Sequence, residues 1–143
     1  EQITLVYLVY VMGIFMGPVA GKISNRVGSG RTLLLGAGVL GLALLCLLLP
    51  FVWAVVLGLL LVCAGFFTVH AAAVGAINRK LSGGQGRANA LYVLFYYVGG
   101  WVGITTAGLA YTRFGWTAVV LLALCLLLLP IHAGLNEGKG DPR

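Results

Sequence analysis

Five long apolar stretches follow one another along this chain, and they constrain its fold more than any other feature does. Each is about 18 residues or longer, the length that a helix needs to cross a hydrocarbon core of about 30 Å at 1.5 Å per residue. None has an Asp, Glu or Arg in its middle. We therefore predict an all-α integral membrane protein with five transmembrane helices, at residues 3–21, 32–49, 51–77, 88–110 and 116–134.

The basic residues gather on one side of these spans. When the spans are threaded in alternating directions, only Arg113 of the nine Lys and Arg residues falls on the far side. Positive charge in short loops favours the cytoplasm, so we predict an N-terminus outside, a cytoplasmic C-terminus and a bacterial plasma (inner) membrane location. The basic residues on the near side are Lys22, Arg26, Arg31, Arg79, Lys80, Arg87, Lys139 and Arg143.

Composition supports a lipid bilayer as the surroundings and excludes several other classes of protein. Hydrophobic residues make up 61% of the chain and charged residues 8%, whereas soluble domains carry about 25% charge. The net charge of +6 lies in short loops between apolar segments, so we predict no nucleic-acid partner. The three cysteines lie inside apolar stretches without metal-ligand spacing, so we predict no metal and no cofactor.

The spans are of two kinds. The second and fifth are almost purely aliphatic, which suits contact with lipid on most sides. The first, third and fourth hold the glycines, the tyrosines and a histidine. Polar groups inside a membrane need partners in the protein or in a wet cavity. We therefore expect these three spans to line, or pack near, a central pathway.

Five side chains are our candidates for a substrate or proton pathway: His70, Thr68, Asn89, Tyr92 and Tyr96. His70 is the one ionisable side chain well inside a span, apart from tyrosines, and an imidazole there can relay protons. The alternative is a neutral histidine that bonds a neighbouring helix. Asn89, Tyr92 and Tyr96 share one helical face and could contact substrate or simply pack.

Two rows of glycines predict close helix packing. Gly13 and Gly17 lie four residues apart in the first span, and Gly99 and Gly103 do so in the fourth. Small residues at this spacing make a flat stripe on which the backbone of another helix can approach closely.

The loop after the first span carries the most specific pattern in the chain. Gly21, Asn25, Arg26 and Gly28 are followed by a further basic residue, Arg31. This pattern resembles the signature loop of the major facilitator superfamily, G-x-x-x-D-R-x-G-R-[RK], with Asn25 in place of the family's Asp. The resemblance implies a cytoplasmic gating loop at these five positions. An Asn keeps hydrogen bonding but not the charge of the family's latch.

The resemblance extends further along the chain. Residues 87–92, 96–100 and 114–116 look like helices 11 and 12 of bacterial efflux-type members. On this interpretation the five spans are helices 8–12, a partial C-terminal six-helix bundle formed by residues 1–143. Helix 7 and the whole N-terminal half would then be missing partners. The family's helices 8, 10 and 11 border the substrate cavity, whereas helices 9 and 12 are peripheral.

The resemblance implies a function as part of a secondary transporter. Such a permease moves a small-molecule substrate by alternating access, and we expect proton-coupled efflux by antiport. We predict no enzyme activity, because the chain has no nucleophile, base and orienting group in a recognisable set. The alternative is a non-transporting membrane subunit that docks on a partner through its glycine-rich helix faces. We expect the polar tail, residues 135–143, to be disordered.

Overall fold

The computed structural model describes residues 11–139, which form helices joined by short connections and contain no strand. The all-α prediction is therefore confirmed. The helices are α1 (Val11–Val27), α2 (Ser29–Cys46), α3 (Val52–Lys80), α4 (Gln85–Phe114), α5 (Trp116–Leu126) and α6 (Leu128–Lys139).

Four helical stretches within residues 11–139 are long and apolar enough to cross a membrane. They are α2, α3, α4 and the continuous stretch Trp116–Lys139, in which the single residue Leu127 separates α5 from α6. The first predicted span, residues 3–21, lies partly outside the described residues, and α1 covers its second half. The predicted spans thus coincide with helices, although α3 and α4 run several residues further than their apolar cores.

The hairpin of α2 and α3 has the closest packing in the described chain. Gly36 faces Gly65 across the two helices, and near the turn Gly58 faces Ala43 and Leu47. A Cβ added to Gly65 would lie 2.7 Å from Leu40 Cγ and 2.9 Å from the carbonyl oxygen of Gly36. The glycines are therefore the reason that the two antiparallel backbones can touch.

Helix α6 packs on α2 by the same means. A Cβ on Gly134 would lie 3.0 Å from the carbonyl oxygen of Gly30, and one on Gly30 would lie 2.6 Å from the backbone nitrogen of Gly138. Glu137 forms an ion pair with Lys80 of α3. These contacts keep residues 135–139 helical, so that part of the predicted disordered tail is wrong; residues 140–143 lie outside the described chain.

Helix α4 is the least enclosed of the spans. None of its residues is buried, and it contacts α3 along part of its length and α5 near their shared turn at Gly115. The second span, by contrast, is the most buried, because α3 and α6 cover two of its faces. Only 33% of this helix is buried within residues 11–139, so our expectation that the second span faces lipid on most sides stays a prediction.

Charged side chains near the ends of three helices gather at one end of the bundle. Arg31 at the start of α2, Arg79 and Lys80 at the end of α3, and Glu137 near the end of α6 line a single cavity. We call this the basic end of the bundle. At the opposite end, the indole N–H of Trp116 donates a hydrogen bond of 2.8 Å to the carbonyl oxygen of Leu47.

Candidate functional site on the α3–α4 face and at the basic end

A histidine and a tyrosine join α3 to α4 within the apolar stretches of the two helices. The hydroxyl oxygen of Tyr92 lies 2.9 Å from Nδ1 of His70, and the two rings meet edge to face at 5.3 Å. His70 is partly buried. Either atom can donate this hydrogen bond, depending on the imidazole tautomer. The direction of the bond can therefore reverse without any movement of the helices.

Aromatic rings surround the imidazole. Phe66 stacks on His70 with ring centroids 6.0 Å apart, and Tyr96 meets it edge to face at 5.5 Å. Tyr96 remains 43% exposed, because its side of α4 has no covering helix in the described chain. Glu137, at the basic end, is the only acid in residues 11–139. The cluster therefore offers stacking surfaces, two phenol hydroxyls and an imidazole, and within residues 11–139 it has no carboxylate.

Two asparagines form the second polar contact between α3 and α4. Asn78 Nδ2 donates to Asn89 Oδ1 at 3.3 Å, and Asn89 Nδ2 donates to Asn78 Oδ1 at 3.2 Å. Both side chains are half-buried. The pair lies towards the basic end from the His70–Tyr92 contact, eight residues away along α3 and three residues away along α4. Asn78 Nδ2 also donates to the carbonyl oxygen of Val74 at 3.0 Å, and the reciprocal amide bonds join α4 to α3 at this level.

Thr68 lies apart from these residues. It is buried, and its hydroxyl donates to the carbonyl oxygen of Ala64 in its own helix at 2.7 Å. Two residues along a helix turn the side chain through about 200°, since each residue advances about 100°. The structure therefore brings together His70, Asn89, Tyr92 and Tyr96 on the α3–α4 face and leaves Thr68 within the packing of α3.

At the basic end, Arg79 connects α3 to α1. Its guanidinium donates to Ser24 Oγ at 2.8 Å and to Asn25 Oδ1 at 3.3 Å. Ser24 Oγ also lies 3.3 Å from Ser29 Oγ in the first turn of α2. The asparagine at the position of the family's aspartate thus accepts a hydrogen bond from an arginine on another helix. The charged guanidinium strengthens this hydrogen bond, but the neutral amide supplies no opposite charge, so it is not the ion pair that an aspartate would form.

The other predicted loop residues take different positions. Gly28 alone connects α1 to α2, with φ of 91°, a backbone angle that side-chain-bearing residues rarely adopt. Arg31 lines the cavity and is exposed. Arg26 is exposed at the end of α1. Gly21 has open space where a Cβ would be.

The predicted packing glycines separate into two groups. A Cβ on Gly13 would collide with the ring of Phe67 in α3, so Gly13 makes a close contact within this bundle. Gly17, Gly99 and Gly103 have no atom of another helix within 4 Å of such a Cβ. Their flat faces are uncovered by residues 11–139.

Three residues of this site were missed by our sequence reasoning. Phe66, Asn78 and Arg79 all belong to α3, and each contacts a predicted residue on another helix. Asn78 had a usable signal, because it is an amide near the end of an apolar span. Phe66 and Arg79 had none, because one resembles core packing and the other resembles any basic loop residue.

Comparisons with known proteins agree with the architecture. The profile of the Major Facilitator Superfamily matches residues 1–133. The chain is 31% identical over 130 residues to "Inner membrane transport protein YnfM" of Escherichia coli, which covers 91% of this chain and 31% of that protein. It is 28% identical over 126 residues to "Uncharacterized MFS-type transporter YybF" of Bacillus subtilis, which covers 88% of this chain and 31% of that protein.

The matched region is a part of those relatives. The chain spans about a third of the length of both curated proteins. No solved structure matches the chain significantly. The profile match and the apolar helices together establish a multi-pass membrane protein.

Proposed function

Because the chain belongs to the major facilitator superfamily, we propose that it forms one wall of the pathway through which a secondary transporter moves a small molecule. Transport proceeds by alternating access, with α3 and α4 bordering the substrate cavity. The family's transporters consist of repeated helix bundles with substrate sites at their interface. The rest of such a transporter would supply the opposite wall.

The contact between His70 and Tyr92 is the observation that carries this proposal. A membrane helix that faced only lipid would have no reason to hold an imidazole and a phenol, whose burial in hydrocarbon is costly unless they are paired. The Tyr92 hydroxyl and the imidazole satisfy each other at 2.9 Å, and Tyr96 presents its ring beside them on the uncovered side. Substrate can stack on Tyr96 and exchange hydrogen bonds with the pair.

The exposed face of α4 fits a contact with another part of the transporter. Gly99 and Gly103 leave room for a close helix neighbour along α4, and no residue of α4 is buried by residues 11–139. Helix α4 has no clearly apolar face and no clearly polar face, and it carries a glycine stripe. Such a helix suits an interface that another helix covers in one state and that substrate or water covers in another.

The basic end faces the cytoplasm in this proposal. Arg31, Arg79 and Lys80 gather there, and cytoplasmic loops carry the excess of Lys and Arg. This orientation places Arg113 outside. The inner-membrane relative from Escherichia coli supports the bacterial plasma membrane as the location. In this proposal the histidine supports proton coupling, and the general resemblance supports efflux.

Water access to Tyr96 tests the pathway without knowledge of the substrate. In the whole transporter, with its native cysteines replaced by serine, Tyr96→Cys should react with a water-soluble methanethiosulfonate. Leu121→Cys is the matched control, because Leu121 is also exposed but lies on the aliphatic α5. It should stay unreactive in lipid. Equal protection of both cysteines would show that Tyr96 faces lipid and would contradict the proposal.

A transport assay tests the role of His70. Ethidium serves as the probe in everted membrane vesicles that contain the whole transporter. His70→Ala should slow proton-driven ethidium movement roughly fivefold or more, the effect of losing about 1 kcal/mol of hydrogen bonding. His132→Ala is the control, because His132 is exposed and bonds only Asn136 within the described chain. Equal rates of ethidium transport in the two variants would show that His70 contributes only to helix packing.

A further inference from the structure

A basic cavity and an apolar groove meet at the first turns of α2, away from the α3–α4 face. The cavity, of about 420 Å³, lies between the start of α2, the end of α3 and the end of α6. Three cationic side chains and one carboxylate line it: Arg31, Arg79, Lys80 and Glu137. Three positive charges against one negative charge leave a surplus of two, so the cavity suits an anion.

Arg31 is the cation best placed to bind that anion. Arg79 already donates to Ser24 and Asn25, and Lys80 is paired with Glu137. Arg31 makes no hydrogen bond or ion pair with any other residue in the range 11–139, and its side chain lines both the cavity and the groove. An anion that bound here would therefore contact Arg31 without displacing an existing protein partner.

The groove begins where the cavity ends. Val27 and Arg31 line both, and the groove continues along α2 past Leu34, Leu35, Gly38 and Leu42. From Arg31 to Leu42 the helix rises roughly 16 Å at 1.5 Å per residue. That length is about half of a hydrocarbon core of about 30 Å. The groove therefore has the depth of one leaflet.

We propose that this junction binds an anionic phospholipid from the leaflet at the basic end. Its phosphate lies in the cavity against Arg31, and one acyl chain lies in the groove along Leu35 and Leu42. A free anion would leave the apolar groove uncovered. A phospholipid occupies both parts, because its charged headgroup and its chain are joined end to end along the membrane normal, as the cavity and the groove are. This inference does not depend on the transport proposal.

The test is native mass spectrometry of the whole transporter in detergent, titrated with phosphatidylglycerol or phosphatidylcholine. We expect tighter binding of phosphatidylglycerol. Arg31→Ala should weaken it about fivefold, the factor that corresponds to ~1 kcal/mol per basic residue near an anionic lipid surface. Arg87→Ala is the matched control, since Arg87 is an exposed cation at the start of α4 and outside the cavity. It should leave the affinity within twofold.

A second pair of variants tests the groove. Gly38→Leu should fill the groove and weaken phosphatidylglycerol binding, because Gly38 has no atom within 4 Å of an added Cβ and the leucine does not disturb helix packing. Gly108→Leu is its control, because Gly108 on α4 has the same open surroundings. Elution volume and melting temperature should be unchanged in both, which separates loss of binding from loss of fold.

Three results would overturn the proposal. Equal binding of the two lipids would show that the surplus charge selects nothing. If Arg31→Ala and Arg87→Ala lost the same affinity for phosphatidylglycerol, the net charge of the protein, and not this cavity, would explain the binding. Displacement of phosphatidylglycerol by inorganic phosphate, together with an unchanged affinity in Gly38→Leu, would show a site for free anions without an acyl chain.

Discussion

The two faces of α3 make opposite kinds of interface. Towards α2, Gly36 and Gly65 bring the two backbones into contact along an antiparallel hairpin. Towards α4, α3 makes polar and aromatic contacts, namely the pair His70–Tyr92, the pair Asn78–Asn89 and the ring of Phe66 against Tyr96. No residue of α4 is buried. The same helix is thus tightly packed on one side and loosely joined on the other.

This difference indicates which parts can move relative to each other. A glycine interface has no room for sliding, because any shift drives a side chain into the facing backbone. Hydrogen bonds between exposed or half-buried groups are more easily exchanged, because water or substrate can replace the lost partner. We therefore expect α2, α3 and α6 to move as one unit, with α4 shifting against it.

The largest predicted effect lies on the tight side. Gly65→Ala should destabilise the whole transporter by about 1–3 kcal/mol, the usual cost of overpacking. The added methyl group would lie 2.7 Å from Leu40 Cγ and 2.9 Å from two backbone atoms, so a helix must shift. The measurement is the melting temperature of the detergent-solubilised protein by fluorescence-detected size exclusion.

Gly38→Ala is the matched control for that comparison. It adds the same methyl group to a helix of the same hairpin, but into open space on α2. It should leave the melting temperature unchanged, or raise it slightly because alanine favours helix over glycine. If Gly65→Ala were as stable as Gly38→Ala, the α2–α3 interface would not be the rigid one.

The tight and loose interfaces were not equally predictable from the sequence. The helices themselves were, because runs such as 51–77 are too long and apolar to be anything else, and α3 follows that run closely (Val52–Lys80). The glycines of α2 are visible in the sequence, but we assigned the second span to lipid and not to a close helix contact. Which of them faces α3 depends on the rotation of each helix about its axis, and hydropathy does not determine that angle.

The candidate site shows the same division. Polar residues inside spans selected His70, Tyr92 and Asn89, because few such residues occur there. The pairing of His70 with Tyr92 depends on the axial register of α3 against α4, which one sequence does not contain. The tail was misjudged for a different reason. Its polar composition indicates disorder, whereas Gly134 and Gly138 repeat the four-residue spacing that packs a helix closely.

A smaller effect is expected at the end opposite the basic residues. Trp116→Phe removes the donor of the hydrogen bond to the carbonyl oxygen of Leu47, a terminal carbonyl of α2 that lacks an intrahelical partner. The predicted cost is about 1 kcal/mol in thermal or denaturant unfolding. Trp53→Phe, at an 84% exposed tryptophan near the same end, should cost little. Equal costs would assign the effect to lost apolar area.

At the interface between α3 and α4 we expect a smaller effect, the coupling energy between Asn78 and Asn89. Asn78→Leu should leave the Asn89 amide without its protein partner, and Asn89→Leu should leave Asn78 with only the hydrogen bond from its Nδ2 to the carbonyl oxygen of Val74. The double variant removes both polar groups, so its cost should fall below the sum of the single costs by about 0.6 kcal/mol, the typical coupling of polar pairs in membranes. The measurement is a double-mutant cycle on unfolding in mixed micelles. Strict additivity would show that the reciprocal amide pair does not form.

The smallest effect separates two explanations for the attachment of α6. Glu137→Gln removes the ion pair with Lys80, whose side chain is 65% exposed. Exposed pairs contribute about 0.2–1 kcal/mol, and the difference from wild type should vanish in 1 M salt, where the screening length is about 3 Å. Lys139→Gln at the exposed end of α6 changes the net charge by one unit in the opposite direction without touching the ion pair, and it should leave the stability unchanged. If Glu137→Gln lowered stability as much as Gly65→Ala does, the ion pair rather than the Gly30–Gly134 backbone contact would hold α6 on α2, and the tight unit would end at α3.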